Sequence, residues 1–80
     1  MPEIDRFSEV PRYVQIAGHL AADIRSGRRE PGSRLPSIAD LVGMYGVNRQ
    51  TAAKALRLLG SQRLARLSPG MGWYVPEETR

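Results

Sequence analysis

Arg49, Gln50, Ala53, Lys54 and Arg57 have a spacing with meaning only on a helix, where at about 100° per residue they fall within about 140° of one another. Such a face combines hydrogen-bond donors with positive charge, the chemistry that reads a polyanion with exposed base edges. An arginine presents two parallel donors to a guanine edge. A glutamine bonds an adenine edge as donor and acceptor, and each good pair contributes about 1–3 kcal/mol of discrimination. Arg49 and Gln50 stand first in the series and are the candidates for selecting sequence. Thr51 and Lys54 suit phosphate oxygens, which set register and affinity without selecting bases. An ordinary solvated helix face would carry the same residue types, so the reading rests on the pattern around them.

Other chemistries find no residues to carry them. The chain has no cysteine, which removes disulfides, zinc thiolates and thiol nucleophiles together and fits a reducing compartment. Its one histidine, His19, lies roughly 100° or more from the centre of the nearest apolar stripe, without a second imidazole or a carboxylate set to complete a metal site. Asp23, Glu30 and Asp40 fall in separate elements with no nucleophile motif beside them, so no enzyme activity, cofactor or metal is expected.

The balance of charge agrees with a polyanionic partner. The formal net charge is +4, but between Pro11 and Val75 ten basic residues stand against three acidic ones. Arginine-rich coding alone would give a similar balance, and the decisive signal is the arrangement of elements.

Four elements must position these residues. From Arg12 to Ser26, apolar residues at Tyr13, Ile16, Ala17, Leu20, Ala21 and Ile24 form one helical stripe, and Gly27 can take the left-handed backbone at its end. After a Pro31-Gly32 turn and a short extended segment, Arg34-Leu35-Pro36, Ser37 can cap a second helix whose stripe is Ile38, Leu41, Val42 and Tyr45. Asp40 sits in its first turn, and Gly43 weakens it by about 1 kcal/mol relative to alanine. Tyr45-Gly46-Val47 is a tight turn. Asn48 then caps a third helix from Arg49 to about Gln62, buried along Ala52, Ala55, Leu56 and Leu59. Leu64–Ser68 and Gly72–Val75 read as two strands of a hairpin joined by Pro69-Gly70-Met71. The fold class is therefore mainly α with a small β-hairpin: a three-helix, winged helix-turn-helix domain.

In that pattern the third helix lies in the major groove with Arg49 and Gln50 at its leading end, and the hairpin is a wing along the adjacent minor groove or phosphate ridge. Arg66 supplies charge from the base of the wing, while the glycines at 70 and 72 permit a sharp turn and close approach to another backbone. Trp73 and Tyr74 are expected to close the core rather than to stack on bases.

The run from Tyr13 to Val75 resembles the N-terminal DNA-binding domain of GntR-family regulators. The resemblance is carried by Tyr13-Val14-Gln15-Ile16-Ala17, Ile24-Arg25-Ser26-Gly27, Pro31-Gly32-Ser33-Arg34-Leu35-Pro36-Ser37, Gly46-Val47-Asn48-Arg49-Gln50-Thr51, Ala55-Leu56 and Gly70-Met71-Gly72. It implies that Arg49 and the two residues after it are the principal contacts of the recognition helix, and that Gly70 and its neighbours carry the wing contact. Ala39 and Ala53 stand where such domains often place arginines, which shifts the expected weight onto Arg49 and Gln50, with Lys54, Arg57 or Arg12 compensating. The candidate DNA-binding set is Ser37, Arg49, Gln50, Thr51, Lys54, Arg57, Arg66, Gly70 and Gly72.

Residues 1–10 carry only Ile4, Phe7 and Val10 as large apolar side chains and read as a flexible arm; residues 11–76 form the domain and 77–80 a tail. The acidic N-terminus has no continuous apolar stretch for a signal peptide or a spanning helix, so a cytoplasmic, nucleoid-associated protein is expected. The expected partner is operator duplex, and the function a transcription regulator, read as a repressor. A module that docks protein, or an architectural accessory in phage or plasmid DNA transactions, is the rival reading. Eighty residues leave little apolar surface beyond one core, so a monomer in free solution is expected, with pairing possible on an inverted repeat. The resemblance implies that such a domain normally precedes a large effector-binding and dimerising domain, beyond the compass of these residues.

Overall fold

The apolar stripes read along the chain become one core in the computed structural model, which describes residues 3–77. Helix α1 (Arg12–Arg25) buries Ile16, Ala17, Leu20, Ala21 and Ile24. Ser26 closes it, and Gly27 follows with φ 86°, the left-handed conformation that glycine adopts without a Cβ clash.

Helix α2 (Ile38–Tyr45) starts at a capping box. Ser37 Oγ accepts the Asp40 amide and the Asp40 carboxylate accepts the Ser37 amide, both at 3.0 Å, which satisfies two amides that a helix start leaves unpaired. The bonds from Ser37 hold the Asp40 carboxyl below its ordinary range, with a further pull from the charge of Arg34. Leu41 and Tyr45 are buried, Ile38 and Val42 half-buried. Gly46 ends the helix in the left-handed region at φ 66°, and Val47 turns into the core.

Helix α3 (Arg49–Ser61) follows after two residues. Asn48 Oδ1 accepts the Thr51 amide at 2.8 Å, and Ala52, Ala55, Leu56 and Leu59 are buried. The helix packs against both α1 and α2 and forms the centre of the molecule. At its end the Leu64 amide reaches back to the Leu59 carbonyl at 2.9 Å, and the Arg63 amide to Gly60 at 3.1 Å. This is a Schellman closure, with Arg63 left-handed at φ 63° in the position that glycine usually takes.

The hairpin has strands β1 (Arg66–Ser68) and β2 (Gly72–Tyr74), paired antiparallel with Leu67 opposite Trp73. Both are shorter than the sequence reading. Leu64 is used by the helix exit, and Val75 pairs with the α1–α2 loop: its amide donates to the Ser33 carbonyl and its carbonyl accepts the Gly32 amide, both at 2.8 Å. Arg34 forms a bridge with Tyr74, and the Leu35 amide donates to the Trp73 carbonyl at 2.8 Å. The extended segment between α1 and α2 is thus a third rung of the wing's sheet. Ile16, Leu20, Leu41, Leu56, Leu59 and Val75 are the largest fully buried side chains, so the three helices and the residue after β2 close one core.

Ahead of α1, Ile4 packs partly buried on that core. The Gln15 side chain bonds the backbone of Asp5 and Val10, and Arg6 donates to the carbonyls of Tyr45 and Gly46 at 3.0 and 3.3 Å. A guanidinium there meets the negative end of the α2 dipole. Of the expected tail, only Glu77 falls within the described residues.

Candidate nucleic-acid interface

Once Ala52, Ala55, Leu56 and Leu59 turn inward, helical geometry sends Arg49, Gln50, Lys54 and Arg57 outward, and all four are exposed. Thr51 and Ala53 lie half-buried on the flanks. The cap at Asn48 fixes where the helix begins and places Arg49 and Gln50 in its first turn. There the backbone amides lack intrahelical partners and the helix dipole favours an anion. Lys54 leans toward α1, its Nζ 5.5 Å from the centroid of the Tyr13 ring. A cation–π contact of that length orients the ammonium without neutralising it.

Arg49 borders a cleft of about 330 Å³ that runs between α3, the start of α2 and the wing, and the structure brings Ser37 and Gly72 into its lining. Gly72 has φ 111°, a backbone that side chains with a Cβ rarely adopt. Gly70, at φ 78°, sits in the exposed turn of the hairpin. Arg66 is not part of this grouping. It pairs opposite Tyr74, and since side chains alternate along a strand it shares the face opposite to Leu67 and Trp73, bordering a separate groove with Gly32 and Glu77. Trp73 packs against the core, its ring seated on the backbone of Gly60: a Cβ added there would lie 2.9 Å from the indole.

One cationic residue of the cleft is absent from the candidate set. Arg34 is exposed and lines the same cleft as Arg49. Its position became visible only through the pairing of its backbone with Tyr74, a contact across 40 residues that no local spacing displays. Among the described residues the ion pairs join Arg28 and Arg29 to Asp23, so Arg34, Arg49, Lys54, Arg57 and Arg66 have no carboxylate within ion-pair distance, although Asp40 lies near enough to feel the charge of Arg34.

Three helices with a tight turn between the second and third, followed by an antiparallel hairpin, define a winged helix-turn-helix domain. Residues 12–75 match the family model described as "Bacterial regulatory proteins, gntR family", and the chain belongs to that family. It is 40% identical over 68 residues to the mannosyl-D-glycerate transport/metabolism system repressor MngR of Escherichia coli, covering 85% of this chain and 28% of the relative. Against the uncharacterized regulator YdcR of the same organism the identity is 41% over 64 residues, 80% of this chain and 14% of the relative. The chain therefore spans less than a third of the length of these relatives. Among solved structures, YtrA from Sulfolobus acidocaldarius, a GntR-family transcription factor, superposes with a TM-score of 0.87 at 36% identity, over 96% of this chain and 66% of that one. The AraR(DBD), solved in complex with operator ORX1, gives a TM-score of 0.84 at 29% identity, over 94% of this chain and 95% of that one.

Proposed function

We propose that this chain binds double-stranded DNA and regulates transcription by occupying an operator, acting as a repressor. The observation that carries the reading is the cationic face of α3, free of ion pairs among the described residues, set beside a hairpin whose turn is open at Gly70. α3 enters the major groove with Arg49 and Gln50 at base edges, Thr51, Lys54 and Arg57 meet phosphates, and the hairpin follows the adjacent minor groove. Ser37 and Arg66 contact the backbone on either side. The likeness to a domain solved on its operator supports this docking, and the named repressors among the relatives support the regulatory role. Occupancy requires no catalysis, and such a role places the protein with the nucleoid in the cytoplasm; no helix among the described residues is long and apolar enough to cross a membrane.

Titration of labelled duplexes over a range of salt concentrations tests the reading. Counterion release gives a log–log slope of about −0.9 per phosphate contact, so several contacts produce a steep decline. Affinity that is equal at low and moderate salt overturns it. Selection from a random duplex pool then yields the operator.

A further inference from the structure

The cleft between α3 and the wing holds a second arginine beside Arg49. We propose that Arg34 grips the phosphate ridge that separates the major groove from the adjacent minor groove. The inference rests on the duplex-binding reading and adds a contact to it.

Three observations converge on Arg34. Its backbone is fixed to the wing, through the bridge to Tyr74 and the flanking bonds of Leu35 to Trp73 and of Val75 to Ser33. Its side chain runs across Gly72, with Nε and Nη2 each 3.6 Å from the place a Cβ would occupy, so the guanidinium lies in van der Waals contact with the wing's second strand. It is exposed, and among the described residues no carboxylate lies within ion-pair distance.

Location then specifies the ligand. With α3 in one groove and the hairpin along the next, the sugar–phosphate strand between the two grooves passes over whatever lies between helix and hairpin. That is the cleft bordered by Arg34 on the wing side and Arg49 on the helix side. A guanidinium matches two phosphate oxygens with parallel donors, and a contact to the ridge carries no sequence information. Ala39, exposed on the same cleft, brings no charge, so Arg34 and Arg49 are its cations.

The test compares Arg34→Gln and Arg34→Lys with the unaltered chain on a selected operator and on random duplex, each over a salt series. Losing a charged hydrogen-bonded contact lowers affinity roughly tenfold. Arg34→Gln is expected to show that loss equally on both duplexes, with a log–log slope shallower by about 0.9, while Arg34→Lys keeps most of the affinity and the slope. Circular dichroism and the thermal midpoint of Arg34→Gln should match the unaltered chain, because only an exposed side chain changes. Adding Ala39→Arg to Arg34→Gln returns a charge to the cleft and should restore the slope; no recovery would overturn the placement. Unchanged affinity and slope in Arg34→Gln, with normal salt-dependent binding by the unaltered chain, overturns the role of Arg34 alone. Absence of duplex binding by the unaltered chain overturns the underlying reading as well.

Discussion

Arg49 and Lys54 are both exposed cations on α3, yet their surroundings assign them different work. Arg49 stands in the first turn at the edge of the cleft, free to present its planar fork, whereas Lys54 is drawn toward the Tyr13 ring at the head of α1. Arg49→Ala and Gln50→Ala are therefore expected to relax base preference, each by about 1–3 kcal/mol at the position it reads, and Lys54→Ala to weaken all sequences alike. Affinities on a panel of single-base operator variants check this, and equal losses for all three on every site would contradict it. Asp40 carries a prediction in pH. Its carboxyl is held below the ordinary value of 3.8 by its bonds from Ser37, so folding favours the ionised form. That stabilisation is complete above 3.8 and is lost as pH falls through the lower folded value. Asp40→Asn should thus be less stable than the unaltered chain at neutral pH, with the difference closing in acid; denaturant midpoints between pH 7 and about pH 2 measure it. Ser37 and Asn48 were legible as caps because a cap is a local pattern, three residues from its partner. Arg34 was not, since the residue that fixes it is distant in sequence.

Elements test the fold through one substitution with opposite signs at two glycines. Gly43 in α2 faces open space, so Gly43→Ala adds helix propensity without a clash and should stabilise by up to about 1 kcal/mol. Gly60 in α3 has the same intrinsic penalty, but a Cβ there meets the Trp73 ring at 2.9 Å. Displacing the indole costs about 1–3 kcal/mol, which outweighs the propensity gain, so Gly60→Ala should lower the thermal midpoint and alter Trp73 fluorescence. A raised midpoint in both variants would mean that the indole is not seated on α3. Gly72→Val attacks the wing alone: at φ 111° a β-branched residue forces the strand to change path. Duplex affinity should fall while the helical circular dichroism is retained, and undiminished affinity would remove the wing from the interface. All three helices were readable from their stripes, with boundaries within a residue. The strands were read too long because Leu64 and Val75 look like strand residues but bond elsewhere, to the exit of α3 and to the α1–α2 loop. The exit itself escaped notice, since Arg63 fills a left-handed position that sequence reading assigns to glycine.

At the scale of the molecule, the core uses nearly all the apolar surface available, and what is left over decides assembly. The large apolar side chains left exposed are Phe7, Val10, Met44, Leu67 and Met71. Phe7 and Met44 border one surface where the N-terminal segment meets α2, while Leu67 and Met71 belong to the hairpin and its turn, so they do not merge into one patch. The scattered Ile4, Phe7 and Val10 gave no period from which to place that segment, and its anchors, Gln15 on α1 and the carbonyls ending α2, are polar contacts that hydropathy cannot reveal. A stable dimer needs about 800 Å² from each partner around an apolar centre, which two separated pairs of side chains and Val10 do not supply. The 80-residue chain is therefore expected to sediment as a monomer at low micromolar concentration. On DNA a different outcome is expected, because two half-sites about one helical turn apart would hold two copies at high local concentration, where even a small contact contributes to binding. Titration of operators with one half-site, with two in register, and with two separated by an extra half turn should show cooperativity only in the second. A stable dimer without DNA would overturn the monomer expectation, and substituting Phe7→Ser in that dimer would show whether the surface shared by the N-terminal segment and α2 holds it together.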